Sequence, residues 1–259
     1  MAAPKQEKPI IVGLTLDFET GGLDCNECAC TQIAVHANRL DTFERLGTFV
    51  RYIRPYAKKE IKGVTSKKKK VLKSKYDIDQ KEMMRYDDVA LTYSAITMEM
   101  LEEKGEDIEK VAADLIQFIA DVCPKVSKNM KPIIIGQNIP FDEGFLCQMM
   151  EYAGLMKEFQ KLVRGHVDFY GNWHPDLLDT IHLGQLALCN QENVNSYKLE
   201  IMCELLGIEL DDAHDADADV SATTNVVAVC AQRMRNSSGE GGESITVSKT
   251  EKTRKHFKI

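Results

Sequence analysis

The amino-acid sequence predicts an α/β protein. Short apolar runs of strand length come first, segments with helical periodicity follow, and one further apolar run lies between those segments. Of the 259 residues, 44% are hydrophobic and 28% are charged, which is typical of soluble globular proteins and excludes collagen-like, disulfide-scaffold and wholly disordered chains. The length permits one large domain or two small ones.

Three segments near the start are predicted to be strands. The first, Ile10–Leu16, is a continuous apolar run that ends at Asp17, as a buried central strand does. Thr31–Ala37 and Thr48–Ile53 follow after short turn-like breaks. A three-stranded meander is the simplest arrangement of these segments.

Helices are predicted from Asp107 onward. Apolar residues there follow i, i+3, i+4, i+7 spacing up to Val122, which predicts an amphipathic helix ended by Pro124. Pro132–Gly136 predicts a short buried strand. Four more helices are predicted, over Phe141–Ala153, Asp179–Cys189, Tyr197–Leu206 and about Asp219–Met234.

Three segments are predicted to lie outside the core of a domain that spans residues 9–235. Residues 1–8 form a polar N-terminal tail, and residues 236–259 are predicted to be disordered. Nine lysines stand against one acid between Lys58 and Lys75, so we interpret residues 56–88 as an exposed insertion. This insertion either steers a phosphate backbone towards the protein, which we favour, or is simply a solvated loop.

Charge and cysteine content narrow the location and the class of protein. The longest run without Asp, Glu, Lys or Arg, Val220–Gln232, is too short to cross a membrane, and the N-terminus does not resemble a signal peptide. Eight cysteines without a secretion signal indicate reduced thiols in the cytoplasm. The net charge of −7 argues against a non-specific nucleic-acid coat protein but permits an enzyme that acts on nucleic acid.

Four acids lie at the edges of predicted elements. Asp17 and Glu19 end the first strand and point to the same face, since residues i and i+2 of a strand share a face. Asp142 and Asp219 lie at the start of predicted helices. Oxygen ligands from several elements are what Mg²⁺ or Mn²⁺ requires, so the pattern predicts a divalent metal site.

Three motifs resemble those of the DEDDh class, the DnaQ-like 3′→5′ exonucleases, which include the proofreading subunit of bacterial replicative DNA polymerase. They are L-T-L-D-F-E-T-G-G-L-D (14–24), G-Q-N-I-P-F-D-E-G-F-L (136–146) and H-D-A-D-A-D-V-S-A-T (214–223). The L-L-D-T of residues 177–180 is also similar. The resemblance implies an RNase H-like fold, in which helices flank a central mixed sheet of about five strands, the first three antiparallel.

The resemblance also implies the chemistry. Asp17, Glu19, Asp142 and Asp219 would bind two Mg²⁺ or Mn²⁺ ions, with Asp17 as the bridging ligand. His214 would be the general base, for which its ordinary pKa of ~6.5 is suited. The expected products are nucleoside 5′-monophosphates released from a 3′ end.

Five residues match substrate-binding positions of the family. Thr20 and Leu23 would hold the terminal nucleotide, while Asn138 and Phe141 would line the scissile side. Thr97 ends the segment S-A-I-T, where proofreading relatives usually have H-G-I-T. For Leu23 and Phe141 the alternative is core packing.

Two other patterns leave alternatives open. His174 and Asp179 repeat the H-x₄-D spacing of the third motif, but they precede the last helix and therefore fit less well. Cys25, Cys28 and Cys30 are either free thiols, which we favour, or part of a zinc site completed by a more distant residue.

The leading hypothesis is a metal-dependent 3′→5′ exonuclease that acts on single-stranded DNA, in proofreading or repair, with a DNA polymerase as a candidate partner. An exoribonuclease that trims RNA ends is the closest rival. A nucleic-acid-binding module with a decayed site is disfavoured, because all four acids and His214 are present.

Overall fold

The computed structural model describes residues 11–59, 82–123, 130–209 and 215–236. Seven strands are described: β1 (Val12–Thr20), β2 (Cys30–Arg39), β3 (Arg45–Tyr52), β4 (Ile133–Gly136), β5 (Gly165–Val167), β6 (Trp173–Pro175) and β7 (Leu177–Asp179). Five of them form the central sheet in the order β3-β2-β1-β4-β7. Strands β1, β2 and β3 pair antiparallel, and β4 is parallel to both β1 and β7.

The predicted mixed five-stranded sheet is therefore confirmed, including its three antiparallel strands. The described helices are α1 (Asp88–Tyr93), α2 (Met98–Lys104), α3 (Ile108–Val122), α4 (Ile139–Ala153), α5 (Met156–Leu162), α6 (Thr180–Ala187), α7 (Leu199–Leu206) and α8 (Ala216–Asn236). None of them is long and apolar enough to span a membrane.

Helices cover both faces of the sheet, which explains why β1 and β2 are buried along nearly their whole length. Ile33 and Val35 belong to the large core shared with α3 and α4. Ala34, between them, packs instead against Ala216 and Val220 of α8. Helix α8 therefore lies on one face of the sheet, and α3 and α4 lie on the other.

Two helices begin earlier than the sequence predicts. Helix α4 begins at Ile139, with Pro140 in its first turn, so Asp142 is the fourth residue rather than the second. Helix α8 begins at Ala216, because Asp215 accepts hydrogen bonds from the amides of Asp217 and Ala218 at 3.0 and 3.3 Å. Asp219 is therefore in the first turn and does not open the helix.

The expectation of an exposed insertion over residues 56–88 is wrong at both ends. Tyr56 and Met84 are buried, and Ala57 pairs with Met83 in an antiparallel bridge. The two ends of this segment therefore return to the core as a pair, held by their apolar side chains. Residues 60–81, which carry most of the lysines, lie outside the described residues, as do both predicted tails apart from Asn236, the last residue of α8.

Candidate active site

Strand pairing decides which way the acids of β1 point. Asp17 pairs with Ala34 of β2, and Ala34 faces α8. Glu19 is two residues further and shares that face, whereas Phe18 packs into the core on the opposite side. Asp17 and Glu19 therefore face the first turn of α8, which contains Asp219.

Three carboxylates meet at this point. One ligand oxygen from each of Asp17, Glu19 and Asp219 lies within 4.8 Å of the others, close enough for one metal ion to bind all three. Among the described residues this is the one group of three or more acidic, histidine or cysteine side chains arranged in that way.

Asp142 approaches the same point from α4. Its carboxylate accepts a hydrogen bond from the backbone amide of Phe18 at 3.0 Å, and its side chain is buried. Burial raises the pKa of Asp142 well above its ordinary value, and the charge of Asp17 raises it further. The fourth predicted acid is thus tied to the residue between Asp17 and Glu19.

The pKa values report how crowded the site is with negative charge. Burial, followed by the charges of Asp219 and Asp215, raises the pKa of Asp17 to about 7. Burial, followed by the charge of Asp17, raises the pKa of Glu19 to about 8. Buried like charges resist ionisation, and a bound cation would reverse this effect.

The start of α8 is held to the sheet by a buried histidine that the sequence analysis missed. His36 of β2 is fully buried, and its Nε2 donates to Asp217 Oδ1 at 2.6 Å. Asp217 lies two residues before Asp219, and Asp215 caps the same helix. No local pattern identifies this pair, because 181 positions separate His36 from Asp217.

Two further residues near the cluster were also missed. The charge of Asp215 raises the pKa of both Asp17 and Glu19, so a fifth acid is close to the site. Tyr93, a mostly exposed residue of α1, has a pKa raised by burial and by the charges of Glu200, Asp219 and Glu19. The D-A-D-A-D pattern of residues 215–219 was the available signal for Asp215.

The predicted substrate-binding residues take different positions. Leu23 is 86% exposed, so core packing does not account for it. Phe141 is partly buried, with its ring 5.1 Å from that of Phe145. Asn138 precedes α4 in a left-handed conformation, with φ 53°. Thr20 is buried and donates to the carbonyl of Gly22 at 2.8 Å.

Thr97 has a structural role that explains its residue type. Its side chain accepts a hydrogen bond from the amide of Met100 at 3.1 Å and so caps the start of α2. This contact leaves the assignment of Thr97 to the substrate without geometric support.

The structure describes one of the two candidate histidines. His214 lies outside the described residues, directly before Asp215. His174 lies in β6, where its ring nitrogens are 3.6 Å from Glu143 and 3.4 Å from Asp168. Asp179 caps α6 through the amide of Ile181 at 2.9 Å and is not part of the three-carboxylate group.

The cysteines after the first motif are held by hydrogen bonds. Among the described residues, which include all eight cysteines, no metal-ligand group contains a cysteine, and all eight are free. Gln148 Nε2 donates to the carbonyl oxygens of Cys25 and Cys28, and the amide of Cys30 donates to the Tyr56 hydroxyl at 2.8 Å. These bonds fix the loop.

A family model described as Exonuclease, RNase_T, matches residues 14–227. The chain belongs to this exonuclease family. The match runs from the strand that carries Asp17 and Glu19 into the helix that carries Asp219, so it includes every residue of the carboxylate site. Comparison with curated protein sequences finds no match.

Solved structures of exonuclease I share the fold of this chain. The Escherichia coli enzyme in complex with a dT13 oligonucleotide matches with a TM-score of 0.57 and 20% identity, over 87% of this chain and 42% of that one. Its complex with a dA16 oligonucleotide gives the same values. Exonuclease I from Methylocaldum szegediense matches with a TM-score of 0.57 and 19% identity, over 87% and 41% of the two chains. The chain thus spans about two fifths of the length of these structures.

Proposed function

We propose that this chain is a divalent-metal-dependent 3′→5′ exonuclease that releases nucleoside 5′-monophosphates from the 3′ end of single-stranded DNA. The observation that carries the proposal is the convergence of Asp17, Glu19 and Asp219, within 4.8 Å of one another. The exonuclease domain in this proposal extends over residues 9–235.

The residues at the site fit divalent ions. Asp17, Glu19, Asp142 and Asp219 offer only hard oxygen ligands, which Mg²⁺ and Mn²⁺ prefer. The raised pKa values of Asp17 and Glu19 mean that ionisation of these carboxylates is unfavourable when no cation is bound. Divalent ions held by these four acids would supply Lewis-acid stabilisation of the negative charge that develops during phosphoryl displacement.

Each acid has a distinct position in the proposed site. Asp17 is the central member of the set, because its charge raises the pKa values of both Glu19 and Asp142. The amide of Phe18 holds Asp142 in one orientation. Helix α8 supplies Asp219, and His36 and Asp215 fix the start of that helix.

His214 is the proposed general base. It precedes Asp215 directly, and Asp215 lies close enough to Asp17 and Glu19 to raise the pKa of both. In this role His214 accepts the proton of the attacking water and returns it to solvent.

Single-stranded DNA is the substrate we favour over RNA. The exonuclease I structures that share this fold contain dT13 and dA16 oligonucleotides. Leu23 follows β1 closely in the chain and is exposed, as an apolar wedge against a terminal base would be. Polymerase proofreading is a narrower role, and a mismatched duplex tests it.

One degradation experiment tests the proposal. Single-stranded DNA, duplex DNA with a mismatched 3′ end, and RNA of the same sequence are labelled at the 5′ end and incubated with the protein and Mg²⁺, with or without EDTA. We expect a ladder that shortens from the 3′ end of single-stranded DNA, which EDTA and the variant Asp17→Asn both abolish. Faster loss of RNA would identify an exoribonuclease instead. Binding to all three without a ladder would indicate a decayed site.

A further inference from the structure

A short hairpin projects two aromatic side chains into solvent. Strands β5 and β6 pair antiparallel from Gly165↔Pro175 to Val167↔Trp173. At the tip, Phe169 is 96% exposed and Tyr170 is 84% exposed, and Phe169 is the most exposed of the large hydrophobic side chains described. Their rings lie edge to face, with centroids 5.5 Å apart. Adjacent exposed aromatic residues on a soluble protein mark a binding surface more often than an accident of sequence.

The tip is held in one conformation by Asp168. Its carboxylate accepts hydrogen bonds from the amides of Tyr170 and Asn172 at 2.9 and 2.8 Å and from the Asn172 side chain at 3.1 Å. Gly171 has φ +89°, which favours glycine and completes the turn. Phe169 and Tyr170 are thus presented on a preorganised turn, so little conformational entropy is lost when they bind.

The base of the hairpin contacts α4, the helix that carries Asp142. Trp173 packs edge to face on Phe159, with ring centroids 5.9 Å apart. His174 lies 3.6 Å from Glu143, the residue directly after Asp142. A cavity of about 550 Å³, lined by both His174 and Glu143, lies between the hairpin and the start of α4. The hairpin and this cavity therefore lie beside the helix that carries Asp142.

We propose that Phe169 and Tyr170 form a stacking platform for bases of the single strand on the 5′ side of the reacting end. This inference rests on the proposed exonuclease function. Aromatic side chains bind unpaired bases of any sequence through their ring faces. Arg164 pairs with Asp176 at 2.7 Å, so one of the two acids of the hairpin region is balanced by a cation.

The length of the hairpin sets how many nucleotides are needed to reach the platform. Phe169 precedes His174 by five positions, so the tip lies at most ~17 Å from the contact with Glu143. A stacked strand advances ~3.4 Å per nucleotide, so at most about five nucleotides cover this distance.

A length series measures the platform in the absence of cleavage. The parent is Asp17→Asn, and single-stranded DNAs of 3, 6, 9 and 12 nucleotides carry a fluorophore at the 5′ end for anisotropy. We expect affinity to rise sharply between the 3-mer and the 9-mer in the parent. In Asp17→Asn with Phe169→Ala and Tyr170→Ala this rise should shrink about tenfold, whereas Phe169→Trp should keep it. Both substituted positions are almost fully exposed, and matching melting curves confirm that the fold is retained.

Two controls make the outcome decisive. Leu46→Ala removes an exposed apolar side chain from β3, at the opposite edge of the sheet, and should leave the length dependence intact. Trp173 is the sole tryptophan of the chain, so its fluorescence should change when a 12-mer binds the parent and not when a 3-mer does.

An unchanged 12-mer affinity after both alanine substitutions overturns the proposal and makes the tip a docking surface for protein. Equal weakening at every length also overturns it. Failure of the exonuclease function alone would appear as binding with the expected length dependence but no cleavage by the unsubstituted chain.

Discussion

Two groups of ionisable side chains lie on either side of the start of α4, and they differ in how their charges are balanced. In the carboxylate site, the neighbours that shift the pKa values of Asp17 and Glu19 are other acids. In the hairpin, each acid has hydrogen-bond donors or a cation. Although burial opposes it, hydrogen bonds from Asn172, His174 and Tyr170 lower the pKa of Asp168, and Asp176 pairs with Arg164 at 2.7 Å.

The difference separates a site that needs a ligand from one that does not. The hairpin group satisfies its own charges and serves to hold a turn in shape. A bound cation would relieve the repulsion among the carboxylates. Acids that raise one another's pKa values are therefore stronger evidence for metal chemistry than the number of acids alone.

The largest expected effect comes from removing an acid of the carboxylate site, and removal of an acid of the hairpin is its control. Asp219→Asn should lower the rate of single-strand cleavage by about 10⁴-fold or more, because the charge that holds the cation and stabilises the reacting phosphate is lost. Asp176→Asn in the hairpin should change the rate at saturating substrate by less than about threefold. Single-turnover cleavage in Mg²⁺ measures both. Similar losses in the two variants would mean that the two groups do not differ in function.

The two histidines sharpen the same contrast. His214→Ala should lower the single-turnover rate by about 10²–10⁴-fold and remove the fall in rate below about pH 6.5, because a general base must be deprotonated to act. His174→Ala, in the hairpin, should leave that pH profile intact. Near-normal cleavage by His214→Ala together with a large loss in His174→Ala would assign the base to His174 and make Asp179 the candidate ligand in place of Asp219.

His36 tests whether the carboxylate site depends on the sheet behind it. His36→Ala removes the hydrogen bond to Asp217 and leaves a cavity, so Mn²⁺ affinity should fall about 10–100-fold while all four acids remain. Asp217→Asn keeps an oxygen that can accept the hydrogen bond from His36, so this variant should retain most of the Mn²⁺ affinity of the unsubstituted protein. Calorimetry with Mn²⁺ measures both variants, and a thermal melt of each with EDTA separates loss of position from loss of fold. Unchanged Mn²⁺ affinity in His36→Ala would remove His36 from the account of the site.

The smallest expected effect is on the stability of the metal-free protein. Between about pH 4 and pH 8 the folded chain keeps protons on Asp17 and Glu19 that the unfolded chain has lost, so the free energy of unfolding falls as pH rises through this range. Asp17→Asn should therefore stabilise the metal-free protein at pH 8 by about 2 kcal/mol, or roughly 4–8 °C in Tm, and by little near pH 5. Asp168→Asn should have the opposite sign, because the lowered pKa of Asp168 makes its charged form stabilising above about pH 4. Melting curves in EDTA across this range measure both, and a lower Tm for Asp17→Asn at pH 8 would make Asp17 a structural residue.

The parts of the molecule that could be predicted from the sequence are those with a regular period or a motif. The apolar runs of β1, β2 and β4 predicted most of the sheet, and the periodicity of α3 predicted one of the helices that pack on it. Strands β5, β6 and β7 contain three residues each, too few to show alternation. The buried ends of the lysine-rich segment were missed because Tyr56 and Met84 lie in short stretches that show neither strand nor helix periodicity.

The candidate site also has parts that the sequence predicts and parts that it does not. Asp17, Glu19, Asp142 and Asp219 stand in motifs that the sequence displays. The contacts that position them join distant parts of the chain, such as Asp142 to Phe18 across 124 positions. Such contacts depend on how helices pack on the sheet, and no local pattern encodes them.

Mn²⁺ binding to the metal-free protein as a function of pH tests the central claim most directly. Calorimetry at about pH 6, 7 and 8 should show affinity that rises with pH and protons that are released on binding, because the metal displaces protons held by carboxylates whose pKa values are about 7 and about 8. Asp219→Asn should lose most of this affinity, and Asp176→Asn should keep it. Binding that is independent of pH, or that survives in Asp219→Asn, would contradict the assignment of Asp17, Glu19 and Asp219 as the metal site of this exonuclease.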